Sequence, residues 1–176
     1  MQKSLKINFK DSKVVILDGY FQKFYKNVDY SYLKSKIKER HCKNSNLIFD
    51  ISIHVRGGDF LKLGYTNKDI SDFYKNAIIE LKKMYSDFSR LRVVVITDDR
   101  RFVNEIPSLQ GLKILDGSVI DDFISLLNSQ TQVYASSTFA ISAALLSDRR
   151  KTKFSTCVWM DGTYRYSMEN EKCIKI

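Results

Sequence analysis

The chain has 176 residues, 44% of them hydrophobic and 12% aromatic, enough length and apolar content for a folded domain with a sizeable core. That composition excludes a disordered chain. Lys and Arg number 29 against 20 Asp and Glu, and the net charge of +9 favours anionic partners: sugar nucleotides, nucleic acid or an acidic membrane face.

Residues 13–19 read as a short buried strand stopped by Gly19, and the aromatic cluster at 20–25 opens a loop or helix. Residues 30–40 set Tyr32, Leu33 and Ile37 against Lys34, Lys36 and Lys38, a surface helix. Residues 47–55 form a strand. Ile70, Phe73, Tyr74, Ala77, Ile78, Leu81, Met84 and Tyr85 make one apolar helical stripe, a core-facing face with Thr66 or Asn67 placed to cap it. Residues 92–97 are the most continuous β-branched run, which predicts a strand buried on both faces and ending in Asp98 and Asp99.

Residues 102–106 predict a short helix stopped by Pro107, the only proline. Then come a strand at 113–115, a helix at 119–129, a strand at 132–135, a small-residue helix at 139–146 and a strand at 153–159. Strand and helix alternate throughout, so the predicted fold is α/β: a Rossmann-like, mostly parallel sheet with right-handed crossovers.

Cys42, Cys157 and Cys173 stand far apart, with an odd count and no CxxC pair. The pattern predicts neither a metal site nor a disulfide framework, and it fits a reducing cytoplasm. The apolar run at 140–146 is too short to span a membrane. Met1 to Lys6 lack the apolar core of a signal peptide. The expectation is a cytoplasmic protein, with at most a peripheral contact at the inner membrane surface.

Two stretches carry chemistry. In the first, Ile51, Ile53 and Val55 alternate with Ser52, His54 and Arg56, the period of a strand, and Gly57, Gly58 and Asp59 follow. The glycine pair ends the strand where backbone must turn or approach a ligand closely. An imidazole and a guanidinium are thus delivered to the C-terminal edge of an α/β sheet, where ligands bind. The arginine's planar fork suits a phosphate. Alone, these residues equally describe a strand end with a solvated arginine and a turn. In the second stretch, a strand opens into Ser136, Ser137 and Thr138 and then a helix. Hydroxyls and free backbone N–H groups there make an anion cradle with the helix dipole behind it, or an ordinary Ser/Thr cap.

Together the two stretches resemble the α-1,2-fucosyltransferases. That family carries an HVRRGD-type motif at a strand end, matched by His54 to Asp59. Later it carries an aspartate-led helix and an S-S-F segment, matched by Asp122 to Leu126 and by Ser136 to Phe139. Three weaker features keep the same order. Asp18 to Gln22 is similar to a G-Y-x-Q segment, Phe73 to Ile78 to a Y-Y-x-x-A-I helix, and Ile96 to Asp99 to an S-D-D strand end. The match runs over residues 14–159.

The resemblance implies that Arg56 holds the β-phosphate of GDP-fucose and stabilises the departing diphosphate, a kind of interaction worth roughly a hundredfold or more in rate. It implies that His54 and Asp122 recognise guanine, a carboxylate being suited to the N1–H and N2–H donors of the base. Ser137, Thr138 and Phe139 look like the diphosphate cradle, with Gly58 beside them. Asp59 is the candidate general base, or else the cap of its own turn. No metal or cofactor is implied where arginine and backbone N–H groups carry the diphosphate charge. Asp98 and Asp99 receive no role. The family usually has a second arginine where this chain has Gly57, although related protein O-fucosyltransferases carry only the first.

The resemblance also implies that residues 1–176 form a single GDP-sugar-binding domain, like the donor half of a GT-B glycosyltransferase. Residues 1–46 are then a remnant of, or linker from, an N-terminal acceptor domain. The chain would be a truncated reading frame, a minimal enzyme or one part of a split protein. The implied reaction is inverting transfer of L-fucose from GDP-fucose to a glycan acceptor, in surface polysaccharide or O-antigen synthesis. The alternative is a GDP-sugar-binding module without catalysis. A nucleic-acid binder rests on charge alone and lacks a recognition helix or aromatic sheet motif, so no nucleic-acid partner is expected.

Overall fold

A computed structural model describes residues 30–41, 48–57, 67–147, 151–158, 164 and 168–175. In chain order these give α1 (Ser31–His41), β1 (Ile51–Val55), α2 (Asn67–Met84), β2 (Val93–Thr97), α3 (Arg100–Asn104), β3 (Lys113–Ile114), α4 (Val119–Asn128), β4 (Thr131–Tyr134), α5 (Thr138–Leu146), β5 (Thr152–Ser155) and β6 (Glu171–Cys173). Short 3₁₀ turns cover Phe88–Arg90 and Pro107–Leu109. The strand expected at 13–19, the aromatic cluster after it and the cap at Thr66 lie outside the described residues.

The six strands form one sheet in the order β3-β2-β1-β4-β5-β6. Every pairing between these strands is parallel, so the expected mostly parallel sheet is wholly parallel here. β1 lies at the middle, with Ile53 level with Val95 of β2 on one side and Val133 of β4 on the other. The chain runs outward from β1 to β3, then returns to start again at β4. The strand order therefore reverses between β1 and β4, which opens a crevice beyond their C-terminal ends.

β1 alternates in sequence, yet all five of its residues are buried. Its alternation sorts residues between two covered faces. Ile51, Ile53 and Val55 join Val95, Val133 and Phe154 in a core under α2, whose Ile70, Phe73, Tyr74, Ala77, Ile78 and Leu81 supply the opposite wall. The second core contains Ile96 and Tyr134 of the sheet, Leu126 of α4, and Ala140, Ile141, Ala143 and Ala144 of α5. Helices thus cover both faces, as an all-parallel sheet requires. The α2 stripe ends at Leu81 and the half-buried Tyr85, while Met84 is exposed.

Local chemistry fixes the helix starts beside the crevice. Ser118 caps α4 in a reciprocal capping box with Asp121. Asp99 caps α3, its carboxylate accepting from the Phe102 N–H at 3.1 Å. α1 is a surface helix, as expected, and Lys34 on it donates to the Ser147 carbonyl.

The cysteine expectation is corrected. Cys157 and Cys173 form a disulfide across 16 residues. It ties the loop after β5 to β6, a strand that no periodicity announced because only three residues carry it. The two cysteines are distant in sequence, but the pairing of β5 with β6 brings the loop after β5 beside Cys173, with Cα atoms 5.3 Å apart. The last expected strand, 153–159, is shorter than predicted and ends at Ser155.

Candidate functional site

The C-terminal ends of β1, β2, β3, β4 and β5 share one edge of the sheet, because all five are parallel. His54 is the fourth residue of β1 and pairs with Ile96 and Tyr134 on its two neighbours. Its side chain is on the α5 side, where its ring centroid lies 5.6 Å from that of Phe139. Phe139 in turn meets Phe123 edge-on at 5.4 Å. Asp122, the residue before Phe123, stands in the first turn of α4. His54 thus meets one end of a short aromatic row, and Asp122 precedes in sequence the ring at its other end.

Both carry a buried polar atom with no hydrogen-bond partner among the described residues: Nδ1 of His54 and Oδ1 of Asp122. Buried polar atoms are normally satisfied; Ser52 Oγ, Ser108 Oγ, Ser125 Oγ and Gln132 Oε1 share this state, and His54 and Asp122 are the two to which the resemblance gives a role at the base. Burial pushes the His54 imidazole down to about 4, with the Asp98 charge opposing and the Arg56 charge adding to the effect. The ring is therefore neutral near pH 7, with one nitrogen to donate and one to accept. Asp122 moves the other way. Desolvation raises its carboxyl above the ordinary range, Asp121 and Asp116 add to the rise, and Arg100 opposes it. Behind the histidine, the Tyr74 hydroxyl donates to the His54 carbonyl at 2.7 Å and pins the strand end.

Arg56 follows directly on β1, and its guanidinium Nη1 lies 2.8 Å from Oδ2 of Asp98 at the end of β2. The other carboxylate oxygen, Oδ1, accepts the Gly57 N–H at 3.0 Å. On the other side of β1, β4 leads into Ser136 and Ser137, and α5 begins at Thr138. Ser137 occupies the cap position without a side-chain cap hydrogen bond, so the ordinary-cap alternative does not describe it. The first turn closes with the Ile141 N–H donating to the Ser137 carbonyl, and amides ahead of that bond have no intrahelical acceptor. The Ser136 hydroxyl is spent on the loop after β5, through Thr156 Oγ1 at 3.1 Å and the Val158 carbonyl.

Arg56 and the Ser137–Thr138 helix start therefore sit at the tips of adjacent strands, across the point where strand order reverses. Thr138 is exposed and Phe139 half-buried. Gly58 and Asp59 lie outside the described residues.

The arrangement offers a guanidinium, free helix amides and two orphaned polar atoms on one edge, the equipment for a nucleotide with a diphosphate. A model of glycosyl transferase family 11 matches residues 5–175. The chain belongs to this family, that of the α-1,2-fucosyltransferases. Neither the curated proteins nor the solved structures compared with it give a match. A family 11 member is a glycosyltransferase, taking a nucleotide-sugar donor and a glycan acceptor. Among the described residues no helix is long and apolar enough to cross a membrane.

One residue that sequence reasoning left without a role, Asp98, meets the end of β1. Asp98 makes two contacts with it, to the Arg56 guanidinium and to the Gly57 N–H. The motif Thr97, Asp98, Asp99 was visible in the sequence, but only the pairing of β2 with β1 brings it beside Arg56. The departure at Gly57 also has a local cause. A Cβ there would lie 2.7 Å from Asp99 Cβ and 3.1 Å from Phe102 Cδ1, inside van der Waals contact. The second arginine usual in the family has no room at this position.

Proposed function

We propose that this chain takes GDP-fucose as donor and transfers L-fucose, with inversion, to a sugar hydroxyl, in the α-1,2 linkage implied by its family and in the service of surface polysaccharide or O-antigen synthesis. The observation that carries the donor assignment is the pair of buried atoms without a partner among the described residues, His54 Nδ1 beside Phe139 and Asp122 Oδ1 in the first turn of α4. Guanine offers what they lack: its N1–H and N2–H donate to the Asp122 carboxylate, and the His54 ring hydrogen-bonds the same base. Arg56 lies within the span of a nucleoside diphosphate, and the amides of the α5 start, with Ser137 and Thr138, face the same crevice end. Phe139 forms the apolar wall.

In the reaction, the acceptor oxygen attacks the anomeric carbon as the bond to the β-phosphate oxygen breaks. The electron pair passes to the diphosphate, where Arg56 and the helix amides receive the growing charge. A base takes the acceptor proton, and Asp59 remains the candidate for it. The donor's chemistry is complete without a metal or cofactor in this proposal.

Calorimetric titration with GDP, GDP-fucose and UDP tests it. Binding of the two guanine nucleotides, no binding of UDP, and an affinity lowered roughly tenfold to a hundredfold by Arg56→Ala are expected. A folded sample that ignores GDP at millimolar concentration overturns the assignment. GDP release that begins only on adding a galactose-type acceptor separates an enzyme from a binding module.

A further inference from the structure

We infer that Asp98 is a positioning residue for donor binding: it braces Arg56 and the Gly57 backbone together, and so sets the one motif arginine of this chain at the diphosphate. The inference rests on the GDP reading above. It starts from the two oxygens of one carboxylate. Oδ2 takes the guanidinium at 2.8 Å and Oδ1 takes the Gly57 N–H at 3.0 Å, across 41 residues of sequence. One side chain thus fixes both the arginine's head and the turn that its backbone enters.

Two further observations make this more than a surface ion pair. The turn at Gly57 presses so closely on the start of α3 that a Cβ would strike Asp99 and Phe102. Only glycine lets the β1 turn come near enough for Asp98 to reach past it to the guanidinium. Gly57 and the Asp98 brace are therefore one device. It stands where the family usually spends a second arginine. Moreover, Asp98 is itself placed by its neighbours. Thr97 Oγ1 donates to the Asp99 carbonyl and accepts the Asp99 N–H, and the Asp99 carboxylate caps α3. The strand end that carries Asp98 is thus locked on both sides.

The value of the contact is orientational. Arg56 and Asp98 are each more than a third exposed, and such pairs add little to stability. A long, flexible side chain with no second arginine beside it gains instead from being held before the ligand arrives. Asp98 meets Nη1 of a guanidinium that has five N–H donors, more than one carboxylate can take.

The test compares guanosine with GDP, because Asp98 acts only through the group that meets the phosphates. In wild type, Arg56→Ala, Asp98→Ala, Asp98→Asn and the Arg56→Ala/Asp98→Ala double variant, the ratio of GDP affinity to guanosine affinity is measured by calorimetry at one salt concentration. Asp98→Ala is expected to lower the ratio roughly tenfold while guanosine affinity stays put, and the double variant to add nothing to Arg56→Ala. Asp98→Asn, which keeps an acceptor for the Gly57 N–H but loses the charge at the guanidinium, is expected to lower the ratio too; it also serves if Asp98→Ala does not fold. An unchanged ratio in wild-type-like folded variants overturns the inference. A raised ratio overturns it as well, showing that Asp98 competes with phosphate for Arg56. If wild type itself fails to bind GDP, the donor reading falls instead, and the two failures are told apart.

Discussion

Asp122 sits at the centre of the donor assignment because its acidity is already displaced. Desolvation and two nearby aspartates raise its carboxyl, so its anion is held less firmly than that of an ordinary aspartate. Guanine needs the anion, whose oxygens accept from N1–H and N2–H. As pH falls through that raised value the carboxylate takes up a proton, loses an acceptor and weakens its hold on the base. GDP affinity is therefore expected to fall on mild acidification, at a higher pH than an ordinary aspartate would cause. Asp122→Asn should bind GDP roughly tenfold to a hundredfold more weakly near neutral pH and lose that pH dependence. Calorimetry across a pH series in both proteins checks it, and a dependence that survives in the variant would assign the proton elsewhere. His54, Arg56 and Asp122 were legible in the sequence because each stands in a short motif. Asp98 was not assigned, because its role depends on which strand lies next to β1, a fact of topology rather than of spacing.

Among the elements, those with long apolar periods were legible, as was β3 within the strand expected at 113–115, but β6 was not. The α2 stripe announced itself through six buried positions, and the β2 run through its continuous β-branched residues. β6 has only Glu171 to Cys173 and no apolar pattern, so it appeared only when its pairing to β5 was seen. The disulfide explains how so short a strand is kept. Hydrogen bonds of three residues at a sheet edge are weak, and the covalent link from Cys157 shortens the unfolded chain's loop to 16 residues. Closing a loop of that size contributes about 3 kcal/mol in the chain-entropy account. Reduction, or Cys173→Ser, is therefore expected to lower the melting temperature by several degrees, read by thermal unfolding with and without dithiothreitol. The Cys157→Ser/Cys173→Ser variant should then be insensitive to reductant. Equal melting of oxidised and reduced wild type would mean that β6 is held without the bond.

At the scale of the whole molecule, burying the His54 imidazole costs stability in a way that depends on pH. The neutral His54 imidazole is locked in a fully covered strand, with its ionisation lowered to about 4 against 6.5 in an ordinary setting. The unfolded chain therefore binds a proton at this residue between pH 6.5 and about 4, where the folded protein does not. Stability is unaffected above 6.5, declines as pH falls through that window, and levels off below about 4; the loss is on the order of 3 kcal/mol. Carboxylates act in other windows. Asp50, Glu80 and Asp121 are all held below their ordinary values, so their contributions fade only at lower pH. Asp122 has the opposite sign, since its raised carboxyl takes up a proton in the fold first. Subtracting a His54→Gln denaturation series from the wild-type series, by urea midpoint between pH 7.5 and 4, isolates the histidine. The difference should widen through the window in favour of the variant. A flat difference would mean that the imidazole is protonated in the fold, and a charged ring beside Arg56 would then be the feature needing an anion, since a cationic imidazolium can no longer accept a hydrogen bond at Nδ1. The same buried, neutral nitrogen that destabilises the fold toward acid is the one left without a partner for the base.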